Sequence, residues 1–587
     1  MKKKNMCNIE KRDYEPSIAL NINGFDMKAY PDETIFQVAK RNCISIPHFC
    51  YHPRLKIIGA CRMCLVEIEG RKTLETSCST PAKEGIVVLT HSRRVIEARR
   101  TILELLLANH NLNCPTCKKN LNCKLQKYSE ELMISEIPYV GEMRHNVKDH
   151  SSVSIHRNPD KCILCGRCVR VCNDIQTVNA IGQVDRGFHM NISPAFNHTL
   201  AESSCVNCGQ CVINCPTGAL TETSNINDFI KVLVDKEKSG KHFVVQVAPA
   251  IRATIGELFG MPTGVQVTGK LVSALKEVGF DDVFDTNLAA DITIVEEATE
   301  FVKRLKSGEN LPMITSCCPA WIKFGEQFFF EQLNHMSTCK SPQAMMGSLI
   351  RNYYAKIKNI NPDDIILVDI MPCTAKKYEI KRDELAGDTD FVLTTVELGK
   401  LLTQFNIDFV NLPDSKFDAP LGLSSGAGAI FGRTGGVMEA ALRTSVDFIM
   451  NDDLKTIKYN AVRGMKTLKE ANIKIAGKEI KIAVAQTLGE ARKIMQQIKE
   501  GKSKYHFIEI MACYGGCIGG GGQPAYDDDS VLRDRINVLD NEDKSLKYRK
   551  SHKNPAVIKL YKEYIGDFGG DTAHKLLHTK YFRKKYI

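Results

Sequence analysis

The residues of this chain best suited to chemistry are its cysteines, 23 among 587 residues, and they are grouped at ligand spacings. The sharpest group is a repeat: Cys162-x2-Cys165-x2-Cys168-x3-Cys172 returns 43 residues later as Cys205-x2-Cys208-x2-Cys211-x3-Cys215-Pro216. Three thiolates at two-residue gaps wrap one iron–sulfur cubane while the fourth cysteine reaches across to the other. The spacing therefore predicts two 4Fe-4S clusters, each drawing three ligands from one run and one from its twin. Asn173 stands where a proline usually follows the fourth cysteine, and Pro216 supplies that proline in the second copy.

Two further groups precede the repeat. Cys50, Cys61, Cys64 and Cys78 form a C-x10-C-x2-C-x13-C set, which has the topology of a plant-type 2Fe-2S site with a longer first interval. Taken alone, these four would also suit zinc. His110-x3-Cys114-Pro-Thr-Cys117-x5-Cys123 suits zinc or a 4Fe-4S cluster with one imidazole ligand. Its place between two cluster sites favours the cluster, and a neutral nitrogen donor raises the potential, as in Rieske centres. Four such sites in a row have one evident use, which is moving electrons singly along a wire.

The second half carries cysteines of another kind. Thr315-Ser-Cys317-Cys318-Pro-Ala-Trp321, Met371-Pro-Cys373-Thr-Ala-Lys376-Lys377 and Met511-Ala-Cys513-Tyr-Gly-Gly-Cys517, with glycines through Gly522, supply five thiols and a loop whose backbone can approach a cofactor closely. A fifth cubane with one spare thiol is the simplest reading of these residues.

The elements that must position these groups follow from periodicity. Residues 17–90 alternate as strands around a helical TIFQVAKRN, and RRVIEARRTILELLLANH reads as the helix that leads into His110. From about residue 225, β-branched runs such as FVVQVAP, IILVDIMPC and FIEIMAC alternate with amphipathic helices such as KLVSALKEVGF, the pattern of mostly parallel buried strands in an α/β fold. Several strands end in the residues of interest: Pro249, Cys317-Cys318, Cys373 and Cys513. Open α/β sheets bind ligands at the carboxyl ends of their strands, so these ends can converge. The expected organisation is multidomain α+β and α/β: a 2Fe-2S ferredoxin-like domain at 17–93, a His-ligated 4Fe-4S domain at 94–141, a two-cluster ferredoxin-like domain at 142–224, and a catalytic α/β domain at 225–587.

Composition bounds the setting. Hydrophobic residues at 43% and charged residues at 25% are ordinary for a folded soluble chain. No apolar signal core opens the sequence, so a reducing cytoplasm is expected, where clustered cysteines mean metal or catalysis. No run reaches the roughly 18 apolar residues of a membrane span, so no membrane partner is expected. The net charge of +11 suits steering toward an acidic electron carrier. No basic stripe with interleaved aromatics points to nucleic acid.

At the three C-terminal motifs the chain resembles the di-iron (FeFe) hydrogenases, whose signatures are TSCCP, MPC and a C-terminal CxxxC. The likeness covers nearly the whole chain, including the order of the accessory sites, and is nearest the monomeric clostridial type. It implies an H-cluster, a 4Fe-4S cubane joined through one cysteine to a di-iron centre with CO, CN and a bridging dithiolate amine. It also implies one 2Fe-2S and three accessory 4Fe-4S clusters, reversible reduction of protons to hydrogen, ferredoxin or a similar small electron carrier as partner, and maturation proteins for the di-iron centre.

Carried over by motif, the cubane ligands are Cys318, Cys373, Cys513 and Cys517, with Cys517 bridging. Cys317 is the unligated thiol that passes protons, fed through Glu297, Ser337 and Glu300. Pro249, Gln343, Met371, Lys376 and Met511 line the di-iron ligands. Three residues depart from the family pattern: Ala250 replaces a frequent serine, Ala320 a frequent glycine, and Tyr514 a frequent histidine or proline.

The N-terminal arrangement also resembles a respiratory NADH dehydrogenase subunit, so a non-catalytic electron carrier is the competing reading, and the three C-terminal motifs argue against it. A hydrogen sensor or cluster-assembly protein is a third reading, opposed by the intact Cys317 and the matched glutamates. Gly264–Leu271 nearly matches a phosphate loop but lacks its hydroxyl residue, and is read as a turn. The glycines of Ser425–Gly432 fail the dinucleotide spacing, so no NAD or flavin site is expected. Cys7, Cys43 and Cys339 are read as structural thiols.

Overall fold

The computed structural model describes residues 14–453 and 459–585. At its N-terminus, strands Ile18–Ile22 and Phe25–Ala29 form a hairpin around Asn23-Gly24, both at positive φ (56° and 87°), the conformation that a two-residue turn requires. They open a five-stranded sheet completed by Val87–Leu89, Leu65–Ile68 and Glu75–Thr76. Helix Ile35–Arg41 packs Ile35, Phe36, Val38 and Ala39 on this sheet and starts with a reciprocal cap between Thr34 and Gln37.

Helix Arg93–Ala108, capped by Ser92, delivers the chain to His110. The repeat inferred from cysteine spacing is also a repeat of conformation. Leu164 and Asn207 have φ of 52° and 63°, Gly166 and Gly209 have 68° and 67°, and each pair leads into a one-turn helix, Arg167–Arg170 or Gln210–Ile213.

The large C-terminal part holds two four-stranded sheets. In the first, Asp282–Asp285, His242–Val247, Ile365–Met371 and Phe391–Thr394 are all parallel. In the second, Met313–Ile314, Phe507–Met511 and Lys478–Gln486 are parallel, and Leu468–Ile475 adds an antiparallel edge. Helix Thr286–Ser307 is buried along its first three turns. It lies under helices Pro342–Leu349 and Gly436–Met450.

Helix Asp529–Ser545 is locked onto this body by buried ion pairs. Arg252 bonds Asp285 at 2.7 Å and Glu542 at 2.8 Å, and Arg443 bonds Glu439 at 2.9 Å and Asp543 at 2.8 Å. Removing one partner of such a pair costs about 3–5 kcal/mol, because a charge is left buried and uncompensated.

Three expectations from sequence are corrected. Cys43 is disulfide-bonded rather than a free thiol, while Cys7 lies outside the described residues. Gly264–Leu271 is a turn only through Val267, since helix Thr268–Val278 begins within it. The four accessory sites do not form a single file, as their geometry below makes plain. Among the described residues no helix is long and apolar enough to cross a membrane.

Candidate redox centre and its approaches

The strand ends converge. Ala248-Pro249-Ala250, Met371-Pro372-Cys373 and Met511-Ala512-Cys513 lie at the carboxyl ends of three different parallel strands, and all nine residues line one cavity. Cys317 and Cys318 enter it from the N-terminal end of helix Pro319–Phe328, where Cys318 is the N-cap. Cys517 and Gly516 close it from the glycine-rich loop. That loop runs against backbone: a Cβ on Gly520 would lie 2.3 Å from the Pro372 carbonyl oxygen, so only glycine lets the Cys373 and Cys517 loops meet. Five thiols in one buried, largely apolar chamber make a donor set for an iron–sulfur cubane, with one thiol to spare.

One ammonium enters the chamber. Lys376 Nζ donates to Ser341 Oγ and Glu379 Oε2, each at 2.7 Å, and to the Cys317 carbonyl at 3.4 Å. Burial opposes its charge, but Glu379 beside it holds its pKa above the ordinary lysine value. Gln343 donates to the same Glu379 oxygen at 3.2 Å, leaving its own buried Oε1 without a partner among the described residues. That unpaired oxygen and the lysine suit a polar, anionic ligand shell.

The spare thiol has a neighbour that can hold a proton. Burial, and next the charge of Glu297, push the Cys317 thiol well above its usual pKa, so it stays protonated. Glu297 is itself pushed up to about 8, chiefly by burial and then by Glu300; the nearby Ser337 hydroxyl and Ser316 amide hold back part of that rise. Neither Glu297 oxygen accepts a hydrogen bond of normal geometry among the described residues. Ser337 Oγ donates to Glu300 Oε2 at 3.1 Å, and Arg304 donates to Glu300 Oε1 at 2.5 Å. Helix Thr286–Ser307 thus carries Glu297, Glu300 and Arg304 on one face at three- and four-residue steps.

The accessory groups come together as their spacing implied. Cys162, Cys165, Cys168 and Cys215 line one small cavity. Cys172 lies with Cys205, Cys208 and Cys211, each close enough to act on the others' charge. His110, Cys114, Cys117 and Cys123 line another cavity, where burial holds the imidazole neutral, with its pKa lowered to about 4 and its Nδ1 unpartnered among the described residues. The Phe49 and Cys50 amides donate to Cys61 Sγ at 3.4 Å, and Cys64 faces Cys78.

The connectivity is a fork. A Cβ on Gly218 would sit 2.7 Å from Cys117 Sγ, which puts the His110 group against the Cys215 segment. Arg170 bridges the carbonyls of Cys50 at 2.6 Å and Cys165 at 3.5 Å. Both outer groups therefore abut the Cys162 group, and the Cys205 group abuts the chamber, with Cys208 acting on Cys373.

Of the residues named from the sequence, Pro249, Gln343, Met371, Lys376, Met511 and the five C-terminal thiols line the chamber, Glu297 acts on Cys317, and Ser337 bonds Glu300. Sequence reasoning missed Glu379 and Ser341, which hold Lys376, Arg304, which holds Glu300, and Phe431 and Gly432, which line the chamber. Glu379 and Arg304 were legible as i+3 and i+4 partners. Gly432 belongs to the glycine pattern that no dinucleotide spacing explained. Of the departures, Ala250 packs against Gly432, Ala320 is core, and the Tyr514 ring lies 4.2 Å from the Arg54 guanidinium of the N-terminal unit.

Residues 241–521 match the family model described as the iron only hydrogenase large subunit, C-terminal domain, and residues 529–584 that of the iron hydrogenase small subunit. Residues 15–93 match a 2Fe-2S iron-sulfur cluster binding domain. Residues 99–138 match the NADH-ubiquinone oxidoreductase-G iron-sulfur binding region, and residues 152–221 the ferredoxin-like domain of NADH-quinone oxidoreductase subunit 3. The chain is 46% identical to the NADP-reducing hydrogenase subunit HndD of Solidesulfovibrio fructosivorans, over 97% of this chain and 100% of that protein. It is 39% identical to iron hydrogenase 1 of Clostridium pasteurianum, over 95% of this chain and 99% of that one. A solved structure of FeFe-hydrogenase HydA1 from Chlamydomonas reinhardtii superposes with a TM-score of 0.56 at 38% identity, covering 62% of this chain and 99% of that chain.

Proposed function

The chain belongs to the iron-only (FeFe) hydrogenases, enzymes of hydrogen metabolism fed through iron–sulfur domains, and on that footing we propose how its own residues divide the work. Cys318, Cys373, Cys513 and Cys517 would hold the H-cluster, Cys517 being the thiol that would join its cubane and di-iron parts. When bound, that group supplies the two-electron chemistry that joins protons into hydrogen. The observation that carries this reading is the shared chamber, with four thiols, a spare thiol, and one buried ammonium at the ends of separate strands.

Around the chamber each residue has a stated task. Lys376, fixed by Glu379 and Ser341, would present positive charge to the cyanide ligands of that group. Pro249, Met371 and Met511 exclude water, and Gln343 offers its amide. Cys317 holds a proton at Sγ and is resupplied by Glu297, Ser337 and Glu300. One 2Fe-2S cluster sits on Cys50, Cys61, Cys64 and Cys78. Three accessory 4Fe-4S clusters sit on the His110 group and the two interleaved cubane sets. The working units are residues 17–93, 94–141, 142–224 and 225–587.

Electrons come from a ferredoxin-like carrier in the cytoplasm, drawn to a chain of net charge +11. A second reading is favoured by the 46% identical relative named for NADP reduction: a companion nicotinamide-binding subunit exchanges electrons with this chain instead, in either direction of a reversible reaction. Assays of the purified chain with reduced ferredoxin and with NADPH separate the two. Turnover with ferredoxin alone supports the first. Turnover with NADPH only after a companion subunit is added supports the second.

The central experiment is hydrogen evolution from reduced viologen after anaerobic maturation, comparing the native chain with Cys317→Ala. Infrared bands of CO and CN in both proteins, with activity in the native one alone, are expected. Bands without activity in the native chain would overturn the catalytic reading, and full activity in the variant would overturn the role of Cys317.

A further inference from the structure

Glu300 is the outer member of the proposed proton route, and its side chain, 13% exposed, is held on one oxygen by Arg304. The Arg304 guanidinium that pairs with it also donates to the carbonyls of Asn310, Asn334, His335 and Met336 at 2.8–3.2 Å. A guanidinium does not release a proton in a protein, so a proton reaching Glu300 must arrive by another atom.

Beside the buried Cys339 thiol, 4.0 Å from Glu300 Oε2, a hydroxyl path touches Glu300. Thr338 Oγ1 lies 3.1 Å from Glu300 Oε2 and 2.8 Å from His578 Nδ1. Its single proton thus faces two acceptors. His578 Nε2 lies 3.0 Å from Glu296 Oε2, and Glu296 is anchored in turn by Tyr561 and the Gly569 amide. This fixes the tautomer: Nε2–H donates to Glu296, and Nδ1 is left to exchange. The His578 ring is 7% exposed, and the exposed His574 ring lies tilted against it with centroids 4.3 Å apart, which gives it a neighbour in contact with solvent. Backbone pairing of Cys339 with His578, and of the Thr579 amide with the Thr338 carbonyl at 2.8 Å, holds the two segments in register. The groups facing His578 are therefore Glu296 and Glu300 from helix Thr286–Ser307, Thr338 and Cys339 from the adjoining strand segment, Tyr561 behind Glu296, and His574 on its own segment.

We propose that His578 and Thr338 form the solvent inlet of the proton route, with His578 loading Glu300 through the threonine hydroxyl. In the step, the Nδ1–H bond of a doubly protonated His578 breaks as its proton passes to the Thr338 oxygen. The O–H proton of Thr338 passes to Glu300 Oε2. His578 is left neutral with Nε2–H on Glu296, Thr338 is again a hydroxyl, and Glu300 has gained one proton. His574 and solvent recharge the ring. The inlet rests on the Glu297–Ser337–Glu300 route proposed above.

The test uses matured holoenzyme and saturating reduced viologen. H578A should evolve hydrogen about a hundredfold more slowly, within the range usual for loss of a positioned proton-transfer group. Its KM for viologen and its CO and CN infrared bands should be unchanged, and added imidazole should restore turnover saturably. T338V should lose activity alike and not respond to imidazole, while T338S should stay near native. Native turnover in H578A or T338V, or an H578A defect that imidazole does not relieve, overturns the inlet. E297Q run alongside separates the two proposals: native turnover there overturns the route itself, whereas loss there with an unaffected H578A overturns the inlet alone.

Discussion

Gly209 and Thr374 are in contact at the junction between the inner accessory group and the chamber: a Cβ on Gly209 would lie 2.3 Å from the Thr374 hydroxyl oxygen and 2.9 Å from Gly521 Cα. The hydroxyl is committed, donating to the Asn207 carbonyl at 2.8 Å. Gly209 follows Cys208 and Thr374 follows Cys373, so this contact sets the approach of the last electron-transfer site to the chamber. Gly209→Ala combines a steric clash with a left-handed backbone that costs a non-glycine residue about 1–2 kcal/mol. The expected outcome is a lowered Tm and a hydrogen-evolution rate with reduced ferredoxin down by about tenfold or more, since small misplacements are costly in positioned reactions. Infrared bands of the chamber should persist.

Glu297 makes stability fall with rising pH. Its folded pKa of about 8 lies above the unfolded carboxyl value. Its contribution is therefore fully present below about pH 4.3, and is lost as pH rises through the folded value, at about 1.4 kcal/mol per unit. Glu297→Gln removes this slope. The variant should show a flatter Tm between about pH 5 and 8 than the native chain, a higher Tm at the alkaline end, and little hydrogen evolution. A Tm profile parallel to the native one would contradict the burial of an ionising Glu297.

Lys376 and Glu379 form a buried pair, with side chains 11% and 5% exposed. Lys376→Met should destabilise by about 3–5 kcal/mol, largely because Glu379 is left charged and unpaired. Adding Glu379→Gln should recover much of that stability without recovering hydrogen evolution. Chemical denaturation of both variants checks the first statement, and turnover after maturation checks the second.

Three consecutive aspartates beyond the glycine run bind three accessory segments. Asp527 pairs with Lys124 and with Arg167, Asp528 with Lys40 at 2.8 Å, and Asp529 with Arg54 at 3.5 Å. Burial alone would raise the Asp527 pKa, but Lys124 and Arg167 more than offset it and hold the group well below the carboxylate range. Its contribution is present above about pH 4 and lost as pH falls below it. Asp527→Asn should lower stability at neutral pH and narrow the gap to the native chain as pH is taken toward 2. It should slow electron entry from ferredoxin more than from a small viologen. Equal slowing with both donors would contradict a role in seating the accessory units.

Much of the site was legible in order along the chain. The cubane repeat declared its interleaved ligands because cluster geometry demands short, regular gaps. Strand ends announced Cys373 and Cys513 because buried parallel strands are continuous apolar runs. Glu297 and Glu300 shared a face because a helix places i and i+3 together. The antiparallel hairpin at Leu468–Ile475 was not foreseen, since its alternation of lysines with isoleucines reads as an exposed surface until a partner strand is known.

Cysteine type and spacing by themselves determined that this chain carries iron–sulfur sites, how many thiols each offers, and, through resemblance, which chemistry ends the wire. Tertiary structure decided adjacency: that the two outer sites meet the same cubane group, that Arg304 pairs with Glu300, that Thr338 and His578, 240 positions apart, meet beside it, and that Asp527 to Asp529 fasten three segments. The physical reason is range. Ligand gaps, caps and helix faces are local and repeat within a few residues, whereas these contacts join residues tens to hundreds of positions apart and exist only once the sheets, helices and loops have packed.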